Sequence, residues 1–203
     1  MKSPILSIVA CFTLFAPFSV LAESYFGDRD TPNPTDRPSP PLSGFARAKY
    51  VITVSDDFVV DVYHNGKLVP LSDRKMISET FGATSERISI DVKKGDWLVF
   101  NVVNNRLRWG GARYFAAAGM LDSKTIGFAS KLNSSNWTTC DNPSLAEAFI
   151  ANRVAPNEAP TKKISKLWGD GNRLVKEHVG SKWNGDPVWG ESANTWIKAR
   201  IDE

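Results

Sequence analysis

The chain has 203 residues, of which 42% are hydrophobic and 23% charged. That is a globular composition, neither disordered nor fibrous. A formal charge of +3 marks no dedicated nucleic-acid surface. Two Cys and two His leave no room for a disulfide framework or a Cys/His zinc set.

Residues 1–22 read as a secretory signal. Lys2 supplies the positive start, Ile5 to Phe18 is mostly apolar, and Val20-Leu21-Ala22 places small residues before a cut after Ala22. The apolar stretch is shorter than the roughly 20 residues a bilayer span needs. An uncleaved anchor is the alternative. Ile8-Val9-Ala10-Cys11 resembles a lipoprotein box, but the apolar run before Cys11 is very short and continues past it, so ordinary cleavage ranks first. No other segment has the make-up of a membrane span. The expected location is secreted or periplasmic. Cys140 is then the remaining thiol, and burial is its default.

Residues 23–44 form a proline-rich spacer. Pro32, Pro34, Pro38, Pro40 and Pro41 remove backbone donors and stiffen the chain. Residues 45–203 carry the folded domain. Tyr50 to Val54 is β-branched and aromatic, as a strand requires. Phe58, Val60 and Val62 alternate along a second strand, and Asn65-Gly66 follows as a hairpin turn, with Lys67 to Pro70 returning. Ile88, Ile90 and Val92 alternate in a half-buried strand. Lys93-Lys94-Gly95-Asp96 is a polar turn. Trp97 to Val103 is nearly all apolar, as in a central strand covered on both faces. Tyr114 to Met120 is read as a strand whose small residues allow close packing. One helix is predicted, with Ser144 and Glu147 as a capping box and an end near Asn152. The last forty residues hold Trp168, Trp183, Trp189 and Trp196 among glycines, a pattern of long loops. Thr195 to Ile201 alternates as a closing strand, with Trp196 the first candidate for the core. The fold class is all-β: a jelly-roll β-sandwich with one short helix and long Trp/Gly-rich C-terminal loops.

The segment Asn104 to Tyr114 leaves a central strand and enters a glycine-permitted turn. Loops on a rigid sandwich commonly bind. Trp109 offers a face for stacking on a sugar ring, and Asn104, Asn105, Arg108 and Arg113 offer hydrogen bonds, with Tyr114 closing the set. The alternative is that Trp109 turns inward and the arginines are solvated. Asp56 and Asp57 precede a strand, where a local turn uses their side chains; they are also the candidate metal ligands. For catalysis, His64 and His178 are the available bases, but neither a Gly-x-Ser-x-Gly elbow nor a His-Glu-x-x-His motif is present. Among 22 acidic residues the sequence selects no pair for glycoside hydrolysis. Asn133-Ser134-Ser135 and Asn136-Trp137-Thr138 fit the N-glycosylation pattern, which matters only in a eukaryotic secretory pathway.

Three stretches together resemble the galactose-binding-like β-sandwich, a jelly roll found in carbohydrate-binding modules and beside glycoside hydrolase domains. They are Ile52 to Phe58 running into Val62-Tyr63-His64-Asn65-Gly66-Lys67, then Val92-Lys93-Lys94-Gly95-Asp96-Trp97 with its following strand, and Ala193-Asn194-Thr195-Trp196-Ile197. The likeness spans roughly residues 46–200. It implies the sandwich fold and, in many members, a structural calcium; no other cofactor is expected. The family includes enzymatic contexts, sugar binders and protein binders, so fold analogy does not settle function. The expectation is an exported, non-enzymatic, lectin-like domain that takes a glycan or cell-surface polysaccharide, with no nucleic acid as partner. A protein-interaction or cell-envelope assembly module is the alternative, with an envelope protein as partner, and a small secreted hydrolase is the second. Exposed Trp beside polar loops favours sugar, a broad apolar patch favours a protein partner, and a deep pocket with facing carboxylates favours catalysis.

Overall fold

The Asn-Gly pair is where local chemistry first turns the chain back. In the computed structural model, which describes residues 46–56, 58–80, 83–104, 113–153, 158–162 and 171–202, Asn65 and Gly66 take φ of 52° and 78°. Two successive positive φ values make the two-residue turn whose twist matches its flanking strands. In chain order the elements are β1 (Ala46–Ala48), β2 (Tyr50–Asp56), β3 (Phe58–His64), β4 (Lys67–Leu68), β5 (Arg74–Thr80), β6 (Ala83–Ile88), β7 (Val92–Lys93), β8 (Trp97–Val103), β9 (Phe115–Met120), β10 (Ile126–Ala129), β11 (Trp137–Cys140), α1 (Ala146–Ile150), β12 (Ala159–Pro160), α2 (Gly171–Val179) and β13 (Asn194–Arg200). The described residues all belong to one unit, Pro40–Glu203.

The chain is an all-β sandwich. One sheet has the order β10-β9-β2-β6-β5, the other β12-β11-β13-β8-β3-β4, and β1 with β7 forms a two-stranded ribbon. Every pairing is antiparallel. Val51, Ile88, Phe115 and Ala117 of the first sheet meet Val62, Leu98, Phe100, Val102 and Ile197 of the second in the main core. The Phe100 and Phe115 rings touch with centroids 5.0 Å apart. Each sheet is also covered on its outer face. Val175 and Val179 of α2 pack on Ile52, Val54, Ala116 and Ala118. Phe149 and Ala146 of α1 pack on Val99, Cys140 and Trp196. Coverage on both faces explains why β2, β8 and β9 are almost uninterrupted apolar runs. The small side chains of β9 leave space for α2.

Some expectations shift. The strand expected over 88–92 is two pieces: β6 ends at Ile88 and β7 begins at Val92. Ile88 and Val92 still reach the core, but the Ser89 amide donates to the Asp73 carbonyl instead of a ladder. Among the described residues there are two short helices rather than one. A 3-10 turn, Pro143–Leu145, precedes α1, and its cap is Asn142, whose Oδ1 accepts from the Ser144 amide at 3.0 Å; Ser144 is not the cap. Residues 180–193 do run as a long Trp- and Gly-bearing loop, pinned by the bridges Phe115↔Val188 and Lys162↔Trp189.

One side of the sandwich is closed by a guanidinium. Both β3 and β5 carry a bulge, between Val59 and Asp61 and between Met76 and Ser78. Arg74, almost fully buried, donates to both carboxylate oxygens of Glu86 at 2.6 and 3.0 Å and to the carbonyls of Val59 and Val60 at 2.7 and 2.9 Å. It therefore ties β5 and β6 of one sheet to the bulged β3 of the other.

Candidate functional site

Strand order gathers one set of candidate residues at a single end of the sandwich. β2 ends at Asp56, β8 hands over at Asn104, and β9 is entered through Arg113 and Tyr114. The Asn104 amide donates to Asp56 Oδ2 at 2.6 Å. The Asp56 amide donates to the Tyr114 carbonyl at 2.7 Å, and the Asn104 amide N–H to the Ala193 carbonyl at 2.8 Å. Asp56 is 3% exposed and Asn104 6%, so this is a buried polar joint across the two sheets. Arg113 is half-buried and donates to the Glu191 carbonyl, while the Glu191 carboxylate pairs with Lys162. Phe58, at the start of β3, keeps 43% of its surface exposed.

Tyr114 is buried among Ile52, Val54 and Trp183, so its ring serves the core. Asn105, Arg108 and Trp109 lie outside the described residues, as do Asp57 and Trp168. The Asn104 contact presents an N–H to Asp56, the polarity opposite to that of a metal ligand, and among the described residues no group of three His, Cys, Asp or Glu gathers to hold a cation.

Five tryptophans are described and none is exposed. Trp137, Trp183, Trp189 and Trp196 are buried, and Trp97 is half-buried with its indole N–H donating to the Ile150 carbonyl at 2.9 Å. The Trp189 N–H donates to the Ser192 carbonyl at 2.8 Å. Among the described residues the large exposed apolar side chains are Phe58, Val60, Leu68, Leu71, Met76 and Ile77. All come from β3, β4, β5 and the turn between β4 and β5, beside the Arg74 clip.

At the opposite end the hairpin and the Lys-Lys-Gly-Asp turn interlock. Asp96 Oδ2 lies 2.9 Å from His64 Nε2 and accepts from the Lys93 amide at 2.9 Å, while Oδ1 accepts from Asn65 Nδ2 at 2.8 Å. Burial pushes the Asp96 carboxyl up, but these hydrogen bonds and the His64 charge hold it below its ordinary value. His178 Nε2 lies 3.1 Å from Ser78 Oγ. His64 thus meets a carboxylate and His178 a hydroxyl. Among the described residues neither pair is completed into a nucleophile, base and acid.

The sequence pattern gave no warning of Lys198. Its alternation puts it on the outer face of β13, where solvent is the default, yet α1 covers that face and the side chain is fully buried. Nζ lies 3.9 Å from the Phe149 ring centre and 3.7 Å from Glu158 Oε1. Glu158 also accepts from Thr138 Oγ1 at 2.7 Å and from Arg200 Nη2 at 2.6 Å. Burial, aided by the Arg200 charge and opposed by Glu158, pushes Lys198 down to about 8. Burial raises Glu158, but the Thr138 hydrogen bond and the Lys198 and Arg200 charges outweigh it and hold the carboxyl low. Cys140 is buried and its thiol is pushed up by that burial.

No protein-family model matches the chain, and no curated protein or solved structure does.

Proposed function

We propose that the chain is an exported, non-enzymatic glycan-binding domain of galactose-binding-like type, with its ligand at the Asp56–Asn104–Arg113 end. The observation that carries this reading is the convergence there of residues far apart in sequence. Asp56 and Asn104 form a buried, hydrogen-bonded base, and such a base orients a rim. Arg113 supplies a donor at that rim, and exposed Phe58 supplies an apolar face for a sugar ring. The N-terminal signal pattern supports export. Among the described residues no helix is long and apolar enough to cross a membrane.

The test is a glycan array on the exported chain, followed by titration of Arg113→Ala and Phe58→Ala with whichever sugar is retained. The expected result is a several-fold loss of affinity, about 0.5–1.5 kcal/mol for a stacked ring, with little change in melting. Unchanged affinity in both variants would remove the site from this end.

A second reading has its own observation. The flank of Phe58, Val60, Leu68, Leu71, Met76 and Ile77 is the apolar patch that a protein partner would cover. Leu71, 77% exposed, is its most prominent member. Cross-linking in the native envelope separates the two. Loss of a cross-linked protein in Leu71→Asp would favour the assembly module.

A further inference from the structure

The outer edge of the five-stranded sheet carries a groove whose lining shares no residue with the set invoked above. Its floor is β10. Along it Gly127 backs onto the Arg47 carbonyl oxygen, and the Phe128 ring lies over Gly119, each closer than a Cβ would allow. The groove encloses about 470 Å³ and is lined by Lys124, Lys131 and Lys182 together with Thr125 and Asn184.

The three lysines come from separate segments that are fastened together. Lys124 lies in the connection from β9 to β10, Lys131 just past β10, and Lys182 just past α2. Lys131 Nζ donates to the Asn184 carbonyl. The Asp186 amide donates to the Ser130 carbonyl at 2.8 Å, and Ser130 Oγ to the Asp186 carbonyl at 2.7 Å. Nearby carboxylates are occupied with backbone. Asp122 Oδ1 accepts from the amides of Lys124 and Thr125 at 2.7 and 2.8 Å, and these bonds, with the Lys124 charge, hold its carboxyl low. Asp186 Oδ2 accepts from the Leu132 amide at 3.2 Å. Among the described residues no ion pair joins Lys124, Lys131 or Lys182 to a carboxylate.

Lys124 and Lys131 flank the two ends of β10 and Lys182 comes from the segment past α2, an arrangement that calls for spread negative charge. The four residues of β10 cover about 13 Å at the usual strand rise, more than one phosphate or sulfate can bridge. A single-stranded nucleic acid would need exposed aromatic platforms for its bases, and the only ring among the described lining residues, Phe128, is packed on Gly119. We infer that this groove binds an acidic polysaccharide, a chain of uronate or sulfated sugars. The inference rests on the glycan-binding reading and moves the charged part of the ligand to the β10 flank.

Affinity electrophoresis of the full exported chain tests it, with polygalacturonate, heparin, dextran or poly-dT cast in the gel. The comparison variants are Lys124→Gln/Lys131→Gln/Lys182→Gln and Arg113→Ala/Phe58→Ala, each checked by melting. The expected result is retardation by polygalacturonate or heparin that fades with salt and weakens about ten-fold in the triple variant. If the triple variant melts early, the three single variants carry the comparison. Equal retardation of the triple variant and wild type overturns the inference, as does stronger retardation by poly-dT than by either acidic polysaccharide. Retardation by dextran alone, lost only in the Arg113/Phe58 variant, leaves the proposed function standing and removes the groove. Polyanion binding lost only in the triple variant establishes the groove and removes the loop-end site. Indifference to every polysaccharide removes both.

Discussion

Lys198 has no surface in water, and its neighbours explain how it is tolerated. Phe149 offers a ring face and Glu158 a charge, and Arg200 shares the same carboxylate. Removing the partner of a buried charge is costly because it leaves that charge uncompensated. Glu158→Gln strands Lys198 and is expected to destabilise by about 3 kcal/mol, whereas Lys198→Met leaves Glu158 paired with Arg200 and Thr138 and should melt at or above the wild-type temperature. Urea unfolding of the two variants checks this. The lysine also has a pH signature. Its value falls from 10.5 unfolded to about 8 folded, so between those limits the unfolded chain holds more protons and stability rises with pH. The climb in midpoint expected between pH 8 and 10 in wild type should be lost in Lys198→Met, where the raised Cys140 thiol makes stability slope the other way. On the acid side Glu158 and Asp96 are both held low. Their contribution is present above the ordinary carboxylate range and is lost as pH falls through their depressed values. Asp56, Asn104 and Arg113 were legible as candidates because polar residues at the ends of apolar runs stand out. Lys198 was not, since alternation names a face but not what lies over it.

The elements best read from sequence are those with chemistry local to the turn or the strand. Asn65-Gly66, the Gly95 turn and the runs of β2, β8 and β13 each carry their own cause. Gly66→Ala, which forces a side chain into positive φ, should cost about 1 kcal/mol in denaturant unfolding. The two edge-side strands β5 and β6 escaped because Arg74-Lys75-Met76-Ile77-Ser78-Glu79-Thr80 and Ala83-Thr84-Ser85-Glu86-Arg87-Ile88 alternate poorly. A bulge puts β5 out of step, and long-range ion pairing does the work that apolar alternation does elsewhere. Helix α2 escaped because the glycines around it read as loop punctuation, while its contribution to packing is confined to Val175 and Val179 with Leu174 partly covered. Arg74 makes a prediction at this scale. Lysine lacks the fork that reaches both Glu86 and the bulged β3 carbonyls. Arg74→Lys should lose about 2 kcal/mol, read as an earlier urea midpoint. An unchanged midpoint would mean that the sheets are held at this side without it.

Across the whole molecule, two sheets share one core and each carries a helix on its back. Circular dichroism of the folded chain should show dominant β-signal with minor helix, well below the third of residues that is ordinary for globular proteins. That architecture was legible because it needs only strand count, turn chemistry and the doubly apolar central runs. The candidate site was half legible: its strand-end residues could be named, but the burial of Tyr114 and of the described tryptophans depends on which layer covers which strand.

The thin ribbon of β1 and β7 gives the molecule a mechanical asymmetry. β1 is joined to β7 through Ala46↔Lys93 and Ala48↔Val92, and its Arg47 carbonyl presses on Gly127. β13, by contrast, is laddered to β8 along its whole length and to β11 on its other side. Tension applied between the segment before Ala46 and the C-terminal end would load the weak ribbon first. Optical-tweezer traces should show a small low-force extension as β1 peels, then a single high-force rupture of the sandwich. Deleting the β1 pairing with Ala48→Pro should erase the first step and leave the second near its original force. A domain built this way can yield a little slack to a pulling tether before anything in its core is disturbed.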